Sequence, residues 1–475
     1  MEGQGIIFVC IFVPLIGAFL LPIVGRAMPR LRNILALLFV ITAFVTAVIA
    51  LPQALSGTPI LWQMKLPLGF TMGFFADGLA VFMAMTSSLV ASIIVFYSFG
   101  YIEHYPNQNE YYMMVVLFIG SMMGLVYSTN LLLIYLFWEI SAICCWRLIG
   151  FYRGKDVVLR ADKAFLITVG GALLMLIGFI SVYMQTGTFN LLEMQGNTVT
   201  TAAMVLILFG ILSKSATLPL HTWLPDAGVA PSPVTSLLHA AVLVKIGVYV
   251  FARLFLVNFQ LDPVWDTVVP VIAGVSALVS AGAAMVETDI KRIIAYSTIS
   301  QLGFIFLGLS CGTMVGAAGG LLYILMHSLA KGGLFLCAGI VEHSTHTKDI
   351  NKMGGLAKRL PITAVAFALC AFSVMGIPPF GGFFAKYMVI YGAATGASPW
   401  LAVIFIIGAV MTIIYLLRVF IKVFFGELTH PDIKEGSWEM VSSVAILGAL
   451  SLLGGIFINL PSYVTTFIIE SLGRW

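Results

Sequence analysis

The sequence predicts an all-α polytopic membrane protein with about 14 transmembrane helices. Three observations carry this fold class. Of the 475 residues, 60% are hydrophobic and only 9% are charged, against roughly 45–50% apolar and about 25% charged in an ordinary soluble domain. The apolar residues come in unbroken runs long enough to cross a hydrocarbon layer of about 30 Å as helix. A membrane β-barrel would instead show alternating segments of about 10 residues. Finally, lysine and arginine gather in alternate gaps between the runs. No water-soluble fold could hide this much apolar surface. A soluble enzyme, a disordered chain and a nucleic-acid binder are therefore excluded, and the lipid bilayer is the first expected partner. The net charge of +4 is too small to indicate any other.

In order, the runs cover approximately 6–25, 33–52, 76–100, 111–128, 130–151, 161–185, 201–222, 232–257, 264–286, 290–309, 313–341, 361–394, 400–424 and 438–460. The first lacks a basic lead and is followed by Arg26, Arg30 and Arg32, so it reads as a retained span and not a signal peptide. The polar gaps near 51–72 and 426–437 read as loops. Of the 24 Lys and Arg, 15 fall in odd-numbered loops and 3 (Lys65, Arg253, Arg474) in even-numbered loops or the termini. The other 6 (Arg147, Lys214, Lys245, Lys331, Lys386, Arg418) lie within the runs. The positive-inside rule then places odd loops in the cytoplasm and both termini outside, in a cell (plasma) membrane protein. One missed span would scramble this asymmetry. The six cysteines (Cys10, Cys144, Cys145, Cys311, Cys337, Cys370) lie in apolar runs with no CxxC pair, so they read as buried thiols and no metal site is expected.

Several ionisable residues sit where they cost most. A cation at the bilayer centre costs roughly 2.5–3.5 kcal/mol on insertion scales and normally faces a bundle interior or a wet path. Glu139 is mid-run in LLLIYLFWEISAICCW, and Lys214 follows MVLILFGILS. His239 and Lys245 share one run, His327 and Lys331 another, and Lys386 follows GIPPFGGFFA. His327 and Lys331 are four residues apart, which puts both on one helix face. His239 and Lys245, six apart, would differ by about 240° on a regular helix and act as successive stations. The chemistry this supports is a movable proton. Desolvation makes a lysine give up its proton more easily, and an approaching carboxylate restores its hold. Static ion pairs or snorkelling ends are the bland alternative. One Glu, four Lys and two His at depth are too many charges for that reading to be preferred.

Two runs contain helix breakers at depth. One reads ILSKSATLPLHTWLPDAGVAPSPVTSLLHAA, with Pro219, Pro225, Pro231 and Pro233; the other reads SVMGIPPFGGFFAKYMVIYG, with Pro378 and Pro379. Proline removes an amide donor and clashes with the preceding turn, and in lipid the freed carbonyls need protein or water partners. Matched interruptions in two halves of a chain mark transporter ion paths and suggest a repeat. Each break also sits beside a lysine, Lys214 before Pro219 and Lys386 after Pro379.

The stretches FWEISAICCWRLIGF, SKSATLPLHTWLPDAGVAPSPVTSLLHAAVLVKIGVYVFAR, ETDIKRIIAYSTISQLGF, MHSLAKGGLFLCAG and GIPPFGGFFAKY resemble the antiporter-like subunit family. Its members are the L-, M- and N-type subunits of complex I, with relatives in Mrp sodium/proton antiporters and membrane-bound group 4 [NiFe] hydrogenases. The resemblance spans roughly residues 70 to 425. It implies two inverted five-helix repeats, each with one discontinuous helix. The corresponding divisions are 1–110 (helices 1–3), 111–257 (helices 4–8), 264–425 (helices 9–13) and 426–475 (helix 14). It implies an essential Glu at Glu139, a Lys at Lys214, connecting residues at Lys245 and His239, a terminal Lys at Lys386, and a role for the His327–Lys331 stretch. Asp289, Lys291 and Arg292 match a polar turn of the family, expected to be structural or coupling. L-type relatives continue far beyond the last span, whereas this sequence stops at Trp475, and M-type subunits usually carry Glu where Lys386 stands. Both departures favour the N-, Mrp- and hydrogenase-type relatives.

The function expected is a proton- or sodium-translocating antiporter-like subunit of a redox-driven complex, of membrane-bound hydrogenase or complex I type. The alternative is a subunit of a multi-subunit Mrp-type Na+/H+ antiporter without redox partner. The chain itself is expected to hold no catalytic residue and no cofactor. Iron–sulfur, nickel–iron or flavin groups belong to peripheral redox partners, beside other membrane subunits. Two further classes have weaker support in the residues. His239 and His327 are residue types that ligate haem, but buried lysines share their helices. A self-sufficient solute carrier would also use broken helices.

Overall fold

The computed structural model describes residues 2–67, 71–396 and 399–472; Arg474, counted above with the terminal charges, lies outside them. The helices, in chain order, are α1 (Glu2–Ala27), α2 (Pro29–Leu55), α3 (Gly78–Tyr101), α4 (Gln108–Tyr127), α5 (Leu131–Ile149) and α6 (Lys155–Thr186). Then come the halves α7a (Thr201–Lys214) and α7b (Trp223–Asp226), followed by α8 (Ser232–Asn258), α9 (Trp265–Val286), α10 (Ile290–Ser310) and α11 (Met314–Thr345). The halves α12a (Pro361–Met375) and α12b (Gly381–Thr395) precede α13 (Trp400–Phe424), α14 (Trp438–Ile456) and α15 (Asn459–Ser471). Twelve of these are long and apolar enough to cross a membrane, and α7 and α12 are the two predicted broken spans.

Local chemistry fixes the ends. Asp77 caps α3 by accepting from Ala80 N at 2.9 Å, and Asn130 caps α5 by accepting from Leu132 N at 2.8 Å. Asp289, in the polar turn, caps α10 by accepting from Lys291 N and Arg292 N at 2.8 and 3.1 Å. Gly376, with φ +79°, ends α12a in the left-handed conformation that only glycine adopts freely.

The bundle is layered by polarity. Within their most apolar windows α8, α10 and α11 are 94% buried, whereas α6 and α13 are 39% buried. Two of these three central helices, α8 and α11, carry His239, Lys245, His327 and Lys331. The peripheral ones turn Leu166, Ile177, Ile407 and Ile414 outward, as a surface meeting lipid or other membrane subunits requires. All six cysteines are buried free thiols.

The structure departs from the sequence reading in three places. The gap at 51–72 holds an antiparallel hairpin, β1 (Ile60–Lys65) with β2 (Thr71–Ala76); strands this short leave too little alternation to be distinguished from a loop. The last run is divided after Ile456, with α15 beyond it. Arg253, counted with the loop charges, lies inside α8 and is 5% exposed.

One close approach is testable. A Cβ on Gly120 of α4 would lie 2.7 Å from Leu15 N and 2.8 Å from Leu15 Cα on α1. Gly120→Leu is expected to push these helices apart and cost roughly 1–3 kcal/mol, the usual penalty of overpacking, read as a lower Tm in detergent. An unchanged Tm would contradict this packing.

Candidate functional site: a buried axis of lysines and histidines

The first discontinuity builds the first station. After Lys214 the chain leaves the helix through Ser215, Ala216 (φ 50°) and Thr217, and Leu218–Pro219 is a cis bond. Groups freed by the break find partners: Trp223 Nε1 donates to Ser213 O at 2.9 Å, and Leu218 N donates to Ser276 Oγ at 3.2 Å. Lys214, fully buried, donates from Nζ to the main-chain carbonyl of Trp138 at 3.0 Å and lies 5.1 Å from the centroid of the Trp138 ring. Glu139 is the next residue along α5. Among the described residues no ion pair joins it to Lys214. Its Oε1 is buried without a hydrogen-bond partner, although the two charges lie within electrostatic reach. The expected pair is therefore open here, with the ammonium held by the neighbouring carbonyl.

The second station joins two runs. Lys245 Nζ on α8 lies 2.7 Å from His327 Nδ1 on α11, and both residues are fully buried. If Nδ1 accepts from the ammonium, the neutral ring carries its hydrogen on Nε2. That Nε2 has no protein partner. A proton arriving at Nδ1 can therefore leave from the opposite side of the ring.

His239 sits close by but is not in line with this pair. Both of its ring nitrogens are buried without partners, and its ring lies 4.3 Å from that of Phe335. The regular-helix estimate of its angle to Lys245 fails. Residues Leu237–Ala241 are wound as π-helix, with Val242 N donating to Leu237 O at 2.9 Å, so the turn is wider there.

The third and fourth stations are joined by a polar network that the sequence reading missed. His327 and Lys331 share a face of α11 but take different partners. Lys331 Nζ donates to Ser297 Oγ at 2.6 Å and Ile294 O at 3.2 Å. Ser297 Oγ and Tyr415 OH are 2.7 Å apart. Gln301 Nε2 donates to Tyr415 OH at 3.3 Å and Thr412 Oγ1 at 3.1 Å, while Tyr323 OH donates to Gln301 Oε1 at 2.6 Å. Tyr323 in turn flanks Lys386, whose Nζ lies 5.7 Å from its ring and 4.6 Å from that of Phe304. Lys386 Nζ donates to Val374 O at 2.7 Å. That carbonyl is in the last turn of α12a, where the helix dipole is negative and unpaired carbonyls favour a cation. The break at Pro378–Pro379 thus supplies the ligand for the lysine beyond it. The signal for the network was present as STISQ in the middle of an apolar run.

The polar turn has a structural place at one end of the bundle. Lys291, 1% exposed, pairs with Glu342 at 2.5 Å, and Arg292 pairs with Asp226 at 2.7 Å and Glu287 at 2.9 Å. Asp226 also takes Lys163 at 2.7 Å, tying α6 and α7b to α10. Burial alone would raise the Glu287 carboxyl, but the hydrogen bond and charge of Arg292, together with the main-chain donors of Thr288 and Asp289, outweigh it and hold the group below its ordinary value. Arg147 pairs with Glu110, and Arg418 donates to the carbonyls of Met285 and Glu287 at 2.5 Å each, satisfying the end of α9.

A helical membrane bundle with two discontinuous helices and buried lysines and histidines on them and between them defines an antiporter-like membrane subunit. Residues 128–412 match the transmembrane family model of NADH:quinone oxidoreductase and Mrp antiporters, and residues 62–112 match that of the N-terminus of NADH-ubiquinone oxidoreductase (complex I) chain 5. The chain belongs to this NADH:quinone oxidoreductase/Mrp antiporter family. It is 31% identical to the Na(+)/H(+) antiporter subunit A1 of Staphylococcus aureus, in an alignment covering 98% of this chain and 62% of that relative. The chain thus spans under two thirds of that relative's length.

Its structure is similar to a chain of the Mrp complex from Dietzia sp. DQ12-45-1b (TM-score 0.91, 22% identity, 99% of this chain and 98% of that one). It is also similar to a chain of the membrane-bound sulfane sulfur reductase, an archaeal respiratory membrane complex (TM-score 0.91, 25% identity, 99% and 98%). A chain of respiratory complex I from Thermus thermophilus has TM-score 0.83 at 24% identity, over 98% of this chain and 100% of that one. The overall fold, a helical membrane bundle with two discontinuous helices, is similar to that of these chains.

Proposed function

We propose that this chain translocates protons, or sodium ions, along its buried axis as a subunit of a redox-driven membrane complex of membrane-bound hydrogenase or complex I type. The observation that carries the reading is the succession of buried stations: Glu139 and Lys214, Lys245 and His327, Lys331, then Lys386, with His239 beside the second. Closing of Glu139 on Lys214 strengthens the lysine's hold on its proton. Opening, as seen here, loosens it and drives charge toward Lys245. The repeats would be 111–257 and 264–425, between helices 1–3 (1–110) and the C-terminal segment 426–475.

Likeness to the sulfane sulfur reductase chain over nearly its full length supports a redox-driven host. In that host, iron–sulfur, nickel–iron or flavin groups reside in peripheral redox partners. The second reading, a Mrp-type Na+/H+ antiporter without redox partner, is favoured by the relative from Staphylococcus aureus. Isolation of the native complex separates the two. Iron–sulfur or flavin absorbance and redox subunits are expected on the first reading, and their absence decides for the second. Both termini are placed outside a cell membrane; terminal reporter fusions active only in the cytoplasm would overturn that orientation if they are active here.

Lys214→Met tests the translocation itself. In vesicles carrying the host complex, ion movement is expected to fall at least tenfold with the subunit still assembled, and full transport by the variant would refute the reading.

A further inference from the structure

The bundle face that carries the even-numbered loops holds a cavity of about 230 Å3, walled by Asp77, Ser128, Thr129, Leu192, Arg253 and Asn258. Its floor is a buried ion pair. Arg253, 5% exposed on the π-wound end of α8, donates from Nη1 and Nη2 to Asp77 Oδ2 and Oδ1 at 2.6 and 2.7 Å. Arg253 Nε donates to Tyr249 OH at 3.0 Å, and Tyr249 OH donates to Val126 O at 2.5 Å. Lys245, Tyr249 and Arg253 recur every four residues, so they line one side of α8 from the axis toward the cavity. On the cavity wall Thr129, 1% exposed, has a hydroxyl with no protein partner, as a surface that holds water requires. Apart from Lys245, the axis described above uses none of these groups.

We propose that this cavity is the mouth through which ions leave the axis on the even-loop face, with the Asp77–Arg253 pair as its gate; this rests on the translocation reading above. For a proton, the N–H bond on the Lys245 ammonium breaks and, by way of water beside the Tyr249 hydroxyl, an O–H bond forms on the Asp77 carboxylate. The products are a neutral amine and a neutral acid. Protonated Asp77 no longer holds the Arg253 fork, the gate opens, and the acid releases its proton to cavity water. Arg253 keeps its charge throughout and recaptures the carboxylate, which blocks return. The route leaves the axis halfway along, at Lys245, about two helical turns from the Asp77–Arg253 gate, and not at Lys386.

The test uses the host complex in sealed vesicles. Asp77→Asn keeps the size, one acceptor for Arg253 and the cap of α3, but cannot take up the proton. Ion translocation per assembled complex is expected to fall at least tenfold, with the yield of complex also lowered because the buried Arg253 charge loses its counter-charge, and Asp77→Glu to restore part of both. Leu192→Cys, on the cavity wall, serves if Asp77→Asn assembles poorly. The native cysteines are all buried, so a charged, membrane-impermeant thiol reagent applied to this face is expected to label the new thiol and reduce transport at least fivefold. Wild-type transport by Asp77→Asn, no labelling of Leu192→Cys, or labelling without effect on transport overturns the mouth. If Lys214→Met abolishes transport while these outcomes occur, only the mouth fails. If Lys214→Met transports normally, the translocation reading itself has failed.

Discussion

Lys245→Met stops ion movement through the chain and leaves the helices assembled: that is the expected result, and it follows from the position of one nitrogen. Lys245 Nζ reaches His327 Nδ1 at 2.7 Å. His327 is four residues from Lys331 on α11, so the pair is where the half carrying Lys214 meets the half carrying Lys386. Methionine keeps the unbranched stem and removes the titrating group. The fold loses one buried hydrogen bond to His327, about 1–3 kcal/mol if the ring nitrogen stays unpartnered, but it also sheds a buried charge. Stability should therefore change little while transport in vesicles falls at least tenfold. Lys245→Arg, which cannot release its proton at any working pH, should be equally inactive. Transport by either variant at the wild-type rate would remove Lys245 from the path.

Arg253→Leu is expected to be the most destabilising single change at the even-loop face. Breaking a buried ion pair by removing one partner costs about 3–5 kcal/mol, because the remaining charge is left uncompensated. Asp77 is 17% exposed in its side chain and also caps α3, so it cannot swing out to water without freeing the helix end. A lower Tm and a poor yield of assembled complex are expected. The double variant Asp77→Asn/Arg253→Leu should recover most of the loss, since no lone charge remains. Arg253→Lys should rescue only partly, because a point ammonium cannot make the two parallel bonds of the guanidinium. A double variant as unstable as the single one would show that packing, and not charge, dominates there.

The helices were legible because lipid imposes its own arithmetic. An apolar run must match the hydrocarbon thickness, and the observed spans follow the runs closely, 201–222 and 361–394 included, which are the two that break. The breaks were legible because Pro219 and the Pro378–Pro379 pair forbid continuous helix. The identities of Lys214, Lys245, Lys331 and Lys386 stood out because charge is rare in oil. The polar network was harder to see. Ser297, Gln301, Tyr323, Thr412 and Tyr415 are individually ordinary in a membrane helix, and only their convergence makes a connection. Arg253 reads as a loop charge because it stands near the end of the run 232–257, where snorkelling and burial look alike in sequence.

By itself the sequence determined the membrane fold, the number of spans, the two interruptions and which ionisable residues lie within the apolar runs. These depend on local quantities: hydropathy over a window, the backbone chemistry of proline, and the cost of a charge. What tertiary structure alone decided is partnership. Lys214 binds the Trp138 carbonyl and not Glu139, and Lys245 finds His327 across 82 positions of chain. The wide turn at Leu237–Ala241 changes the angle between His239 and Lys245, and Asp77 meets Arg253 across 176 positions. A hydrogen bond is fixed to a fraction of an ångström by helix packing that no single helix encodes.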